Sequence, residues 1–270
     1  MIDKLLEKII QEKVHDKEVA VLLSGGADSL SVALAAHRLG YDVHAYSFHL
    51  KDLPTYDASK AEDSSSKMGW KFTKVIVPVD NLVEDFHTLR TKWKCVKKTH
   101  YECTFPFMYI YPKIEQKYVL SGIAADGHYG VSKKACMHYK QPKELFDEFR
   151  EDYFGQDNPA GLSQQQLLSF YYDKHFVAPY LETSVIQFFR QYDWFELNRP
   201  YQKHHVVEAF TEFKTIGKPK HHINLQLGSG IDKAFESLLE CDEINYKRRN
   251  RMLDVYRDWK DRGEIRTLFD

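Results

Sequence analysis

The chain has 270 residues, 43% of them hydrophobic, with 38 Lys and Arg against 39 Asp and Glu and a formal net charge of −1. That length can bury a full core, and the balanced charge excludes a bulk electrostatic pull towards nucleic acid or a membrane surface. The opening stretch MIDKLLEKIIQEKV sets Ile2, Leu5, Leu6, Ile9 and Ile10 on one helical stripe with charges between them, unlike a signal peptide, and no run approaches membrane-spanning length. A cytoplasmic protein is expected, with one domain over 1–270: a nucleotide-binding α/β core over 1–130 and a mainly helical, substrate-side part over 131–270.

After the first helix, the apolar run Val19 to Leu23 enters Ser24-Gly25-Gly26-Ala27-Asp28-Ser29. Leu30, Val32, Ala33, Leu34, Ala36 and Leu39 then continue with helical spacing up to Gly40. The pattern is strand, glycine turn, helix. A helix N-terminus presents unpaired N–H groups and a positive dipole end, and glycines let a phosphate approach the backbone, so the turn predicts a phosphate cradle. It is neither G-x-x-x-x-G-K-[ST], since no lysine stands between Val21 and His37, nor G-x-G-x-x-G.

Asp42 to Leu50 reads as a second strand. A helix capped by Asp57 runs to Met68 and stops at Gly69. Lys71 to Val77 is a third strand, and a helix through Leu82, Val83, Phe86 and Leu89 follows. Strands alternating with such helices predict an α/β fold: an open, mostly parallel twisted sheet with helices on both faces. The basic stretch Arg90 to Lys98 is either a solvated loop or a lining for an anion. Thr104 to Ile114 reads as an apolar, aromatic-rich helix. Lys117 to Leu120 is a fourth strand, ending on a second glycine turn, Ser121 to Gly127. Ligands of open parallel sheets sit beyond the carboxyl ends of the strands, so both turns can face one ligand.

Ser132 to Gly161 is irregular, charged and aromatic, and no periodicity places it. Helical patterns follow over Ser163–Phe176, Thr183–Trp194, Tyr201–Phe213, Lys233–Glu240 and Tyr246–Trp259. Cys95, Cys103, Cys136 and Cys241 form no C-x-x-C pair and read as reduced thiols. The doublets His204-His205 and His221-His222 are poor chelators, because adjacent side chains point to different sides.

SGGADS resembles the pyrophosphate loop of the ATP pyrophosphatases. The ordered pieces VLLSGGADS, SFHL, CTFPFMYI, YVLSGIAAD, VAPYLETSVIQFF, HHVVEAF and GKPK, within Val19 to Gly230, are similar to the synthetase domain of asparagine synthetases and β-lactam-forming synthetases. The resemblance implies an adenine nucleotide α-hydrolase-like, Rossmann-like fold and the cofactors ATP and Mg²⁺. It implies that Leu23 and Leu50 flank the adenine, that Ser24, Gly25, Gly26 and Ser29 hold the phosphates, and that Ser121 and Gly122 close the nucleotide site. It makes Asp28 and Asp126 the Mg²⁺ ligands, with Asp126 and Lys220 as catalytic residues and Lys220 over the reacting carbonyl.

The departures are equally specific. Ile123 stands where the family's SGEGADE has its first glutamate, Gly127 where it has its second acidic position, and Glu102 and His128 are considered as replacements. Val177-Ala178 represents the arginine before the family's proline, and Glu182 its following aspartate. Met1-Ile2 carries no nucleophilic cysteine near it, so a chain without a glutaminase domain is expected. The expected activity is therefore an AMP-forming amide ligase that adenylates a small-molecule carboxylate and transfers an amine, or ammonia from a separate source. One alternative is adenylation of a base in nucleic acid or a nucleotide precursor, for which the basic stretch and the aromatic segment Tyr139 to Phe154 would serve; the neutral charge disfavours a nucleic-acid partner. The other is a catalytically degenerate ATP-binding protein, with Ile123 as its main support.

Overall fold

The structure, a computed structural model, describes residues 1–96, 98–155, 159, 161–219 and 224–240. Lys97, Lys220, His221-His222, Cys241 and the helix expected over Tyr246–Trp259 lie outside them. Five strands, β1 (Glu18–Leu22), β2 (Asp42–Leu50), β3 (Lys71–Val77), β4 (Tyr118–Ser121) and β5 (His175–Val177), form one sheet in the order β3-β2-β1-β4-β5. Every pairing is parallel, with Val19 opposite Val43 on one side and Tyr118 on the other.

Parallel strands joined by helical crossovers must be covered on both faces, and the two-residue period of the side chains divides the core accordingly. Val19, Val21, Val43, Ala45 and Leu120 point into one core, shared with helices α1 (Ile2–Lys13) and α2 (Ala27–Arg38). Ala20, Leu22, Tyr46 and Val119 point into the other. There they meet α4 (Leu82–Thr91), which follows α3 (Tyr56–Met68), and α5 (Lys98–Thr104). On α1, Ile2, Leu6, Ile9 and Ile10 are all buried, as the stripe predicts.

The helices expected over Thr183–Trp194 and Tyr201–Phe213 are shorter, covering Thr183–Arg190 and His204–Ala209, and three further expectations change. The helix over Thr104–Ile114 is broken: α5 ends at Thr104, α6 covers Phe107–Ile110, and a 3₁₀ turn covers Tyr111–Lys113. Pro106 lacks the N–H a continuing helix needs, and its ring crowds the preceding turn. The cap of α3 is Thr55, whose Oγ1 accepts from Ala58 N at 3.3 Å, rather than Asp57. The helix over Ser163–Phe176 ends at Tyr171, and Asp173, at φ 52°, turns the chain into β5. Three residues are too few for strand alternation to register.

Downstream of α7 (Ala125–Tyr129), the segment without a period contains α8 (Lys133–His138) and α9 (Lys143–Gly155). It is followed by α10 (Leu162–Tyr171), α11 (Thr183–Arg190), α12 (Trp194–Asn198) and α13 (His204–Ala209). Helix α9 is anchored by the fully buried Arg150, which donates to the carbonyls of Phe189 at 2.7 Å and Tyr192 at 3.0 Å, at the end of α11. No helix among the described residues is long and apolar enough to cross a membrane.

Candidate functional site

From β1 the chain proceeds to β2 and β3 on one side, and it then returns to β4 and β5 on the other. The reversal leaves a crevice beyond the carboxyl ends of β1 and β4, the place where open α/β sheets bind ligands. Both glycine turns end there. In the first, Gly25 has φ 71°, and a Cβ on it would lie 2.7 Å from Lys60 Cγ. The Ser29 hydroxyl accepts from Ser24 N at 3.1 Å and lies 3.2 Å from the Ser24 hydroxyl, so both side chains tie the turn to the start of α2. In the second, Gly122 passes so close to the first that a Cβ would stand 2.6 Å from the Asp28 carbonyl carbon and from Ser29 N.

This contact brings two carboxylates to one cation. Lys203 Nζ donates to Asp28 Oδ2 and to Asp126 Oδ1, each at 2.6 Å. Lys203 is buried, just before α13, with φ 63°. Burial works to lower its pKa, but Asp126 and Asp28 hold it above its ordinary value, so the ammonium stays charged. Beneath it, Ser31 Oγ donates to the Asp28 carbonyl at 2.8 Å and lies 2.8 Å from the Tyr180 hydroxyl, fixing the first turn from below. Burial, and then the field of Asp28, raise the Tyr180 pKa.

Over these groups lies a cavity of about 980 Å³. Of the residues singled out from the sequence, Leu23, Ser24, Gly26, Asp28, Ser29, Ser121, Gly122 and Asp126 line it. Gly25 shapes the turn without lining the cavity. Leu50 is a correction: it is 2% exposed and packed in the core on one face of the sheet, while Phe48, two residues earlier on β2, reaches the cavity. Lys220 lies outside the described residues.

Neither suggested replacement for the missing glutamate lines the cavity. His128 is sandwiched between Phe154 and Phe189, at ring separations of 4.4 and 4.5 Å, and its Nε2 lies 2.8 Å from the Tyr180 carbonyl oxygen. Burial drives its pKa down to about 3, so it is a neutral core residue. Tyr153 of α9 takes the place of the second acidic position: its ring fills the space a Cβ on Gly127 would need, and it lines the cavity beside Asp126. In the basic stretch, Lys94 donates to Thr91 O at 2.7 Å and Lys92 sits 3.9 Å from the centre of the Tyr171 ring, and neither lines the cavity.

Sequence reasoning missed Lys203, Phe48 and Tyr153. Lys203 immediately precedes HHVVEAF, so its signal was its place at the head of a motif already in hand. Tyr153 carried none, because nothing in the period of residues 132–161 fixes where that segment packs.

Among the described residues no group of three or more His, Cys, Asp or Glu could hold a metal. Two carboxylates converging on one ammonium are nevertheless a suitable donor set for Mg²⁺, which is commonly held by one or two protein carboxylates with its shell completed by water and substrate phosphates.

Solved structures similar to this chain at low identity include the following two. One is a predicted subunit of tRNA methyltransferase from Methanocaldococcus jannaschii (16% identity, 64% of this chain and 75% of that one, TM-score 0.36). The other is NMN synthetase from Francisella tularensis (17% identity, 70% and 90%, TM-score 0.35). A search of curated protein sequences finds no match. Residues 1–227 match the family described as asparagine synthase, the span that holds both glycine turns, Asp28, Asp126 and Lys203. The chain belongs to the asparagine synthase family.

Proposed function

We propose that the chain is an ATP-dependent, AMP-forming ligase that activates a carboxylate and transfers an amine or ammonia to it. The convergence of Asp28 and Asp126 on Lys203, where the two glycine turns meet, carries this reading. Family membership makes ATP the expected nucleotide. The first turn offers the N-terminus of α2, two hydroxyls and close backbone approach to the phosphates.

An oxygen of the substrate carboxylate attacks the α-phosphorus of ATP, the bond to the bridging oxygen breaks, and pyrophosphate departs with the charge. Lys203 provides a fixed positive charge where that charge collects. Mg²⁺, held by Asp28 and Asp126, would neutralise the leaving group further. The amine nitrogen then attacks the acyl carbon, loses a proton and expels AMP. Lys220 is assigned to this second step from its place in GKPK alone.

The test is pyrophosphate release from ATP and Mg²⁺ across carboxylic acids, each with and without ammonia or a simple amine, with Asp28→Ala as the blank. Acid-dependent release that vanishes in the blank supports the ligase. Release dependent on a nucleoside or RNA replaces it with base adenylation, and ATP binding with no release under any acid or nucleoside replaces it with a binding protein.

A further inference from the structure

Resting on the ligase reading, we infer that the acid it activates has an uncharged acyl chain, and that Tyr153 is a specificity-determining residue for it. The observation is the distribution of charge around the cavity. Among the described residues, its charged lining groups are Asp28, Asp126, Lys203, Asp57 and Lys218. The first three are committed to one another. Asp57 begins α3, the helix whose Lys60 lies under Gly25 and donates to the Ile216 carbonyl at 2.8 Å, and Lys218 follows two residues after Ile216. Both belong to the side of the cavity formed by the first turn and α3.

The opposite side comes from α5, α9, α10 and the second turn. Apart from Asp126, which is paired with Lys203, its described residues are neutral: Thr99, Cys103, Ile123, Tyr153, Gly161 and Gln165 among them. An amino dicarboxylic acid such as aspartate needs a carboxylate for its ammonium and a cation for its second carboxylate, since a charge buried without a partner is costly. That pair is absent from the described part of this wall. An alkyl or aryl chain, by contrast, finds apolar surface and hydroxyl or amide dipoles.

Tyr153 is built into this wall. Its ring occupies the space that a side chain at 127 would take, and α9 is held from behind by Arg150, so the ring is presented by an anchored helix. Gly161, at φ 85°, brings its backbone against Cys103 on the far side, where an added Cβ would lie 3.1 Å from Cys103 Cβ. The acyl space is bounded by an aromatic ring, a thiol-bearing helix and a glycine.

The experiment measures kcat/KM for pyrophosphate release with benzoate, phenylacetate and hexanoate against aspartate and glutamate, in the native chain, Tyr153→Phe and Tyr153→Ala. The uncharged acids should exceed the amino acids by at least tenfold. Tyr153→Ala should cut that preference by roughly tenfold to a hundredfold, the range one apolar contact commands, while Tyr153→Phe keeps it. The thermal shift produced by ATP and Mg²⁺ should be the same in all three, which reports that each is folded. Aspartate or glutamate matching the uncharged acids, or a preference unmoved in Tyr153→Ala, overturns the inference while leaving the ligase reading intact. Silence with every acid, while ATP still shifts the melting temperature, overturns the ligase reading and this inference with it.

Discussion

Gly122 lies against the backbone of Asp28, so the two turns of the site touch with no side chain between them. A Cβ at 122 would stand 2.6 Å from the Asp28 carbonyl carbon and 2.7 Å from its oxygen, and backbone atoms cannot swing aside as a flexible side chain can. Gly122→Ala should push the turns apart, weaken ATP binding by at least about tenfold and lower stability by roughly 1–3 kcal/mol, the usual cost of overpacking. Gly40→Ala is the control. At φ 80° with no heavy atom within 4 Å of the added methyl, it carries backbone strain of about 1–2 kcal/mol and no steric effect on the site. Nucleotide titration and thermal melting of both variants separate the two effects; equal ATP affinity in the two would show that the contact between the turns is irrelevant to binding.

Lys203→Met tests the cation site without reference to turnover. Removing the ammonium leaves Asp28 and Asp126 facing each other, with side-chain exposures of 18% and 41%, and the like charges must separate or take up a proton. Stability should fall by roughly 2 kcal/mol at neutral pH, discounted from the buried-pair range because both carboxylates are partly solvated. Millimolar Mg²⁺ should then raise the melting temperature of the variant more than that of the native chain, because it meets two carboxylates with no competing lysine. A variant indifferent to Mg²⁺ would mean that the two carboxylates do not make a cation site.

The strands and turns that build the crevice were readable because their signals are local. Val19 to Leu23 followed by two glycines, and Tyr118 to Leu120 followed by another, each state strand and turn within a few residues. Beyond the local break at Pro106 and the cap at Thr55, the features misjudged are those whose placement depends on distant partners. β5, His175–Val177, is a strand because β4 offers its open edge, not because of its own sequence. Tyr153 reaches the cavity because Arg150 finds carbonyls some 40 residues further along the chain, at Phe189 and Tyr192. Lys203 differs again: its residue type and place were visible, and what was hidden was the fold that lays it across two loops.

Away from the site, Asp85 gives a pH dependence with a definite sign. Burial raises its pKa from 3.8 to about 6, only partly offset by the Tyr109 hydroxyl, which donates to it at 2.6 Å. The folded chain thus holds this proton where the unfolded chain releases it, so the Asp85 contribution to stability falls as pH rises from about 4 to 6 and stays lost above that. Asp85→Asn keeps an acceptor for Tyr109 and never ionises. Its stability relative to the native chain should be unchanged near pH 4 and higher by on the order of 1 kcal/mol at pH 7, after allowance for solvent screening. Denaturant unfolding at the two pH values measures this, and a difference that does not grow with pH would place the ionised carboxylate in a more solvated setting than the structure gives it.

Arg150 decides whether α9 is part of the site or merely beside it. The guanidinium is fully buried, pairs with Asp147 at 2.5 Å, and caps the carbonyls of Phe189 and Tyr192. Burial lowers its pKa, yet Asp147 keeps it paired and charged. Arg150→Met fills much of the same space but removes the guanidinium donor from the Tyr192 carbonyl, leaves Phe189 O to its backbone donors and leaves Asp147 to Lys143 alone, a loss of roughly 2–4 kcal/mol. If α9 transmits its position to Tyr153, the variant should also raise KM for the acid several-fold while KM for ATP, whose phosphates are proposed to meet the two glycine turns rather than α9, stays within about twofold. If both constants move together, the helix supports the whole crevice and not one wall of it. If neither moves despite the lost stability, Tyr153 is held by its own packing against Gly127 and needs no help from Arg150. The split between the two KM values, rather than the loss of stability, therefore shows what the buried arginine is for.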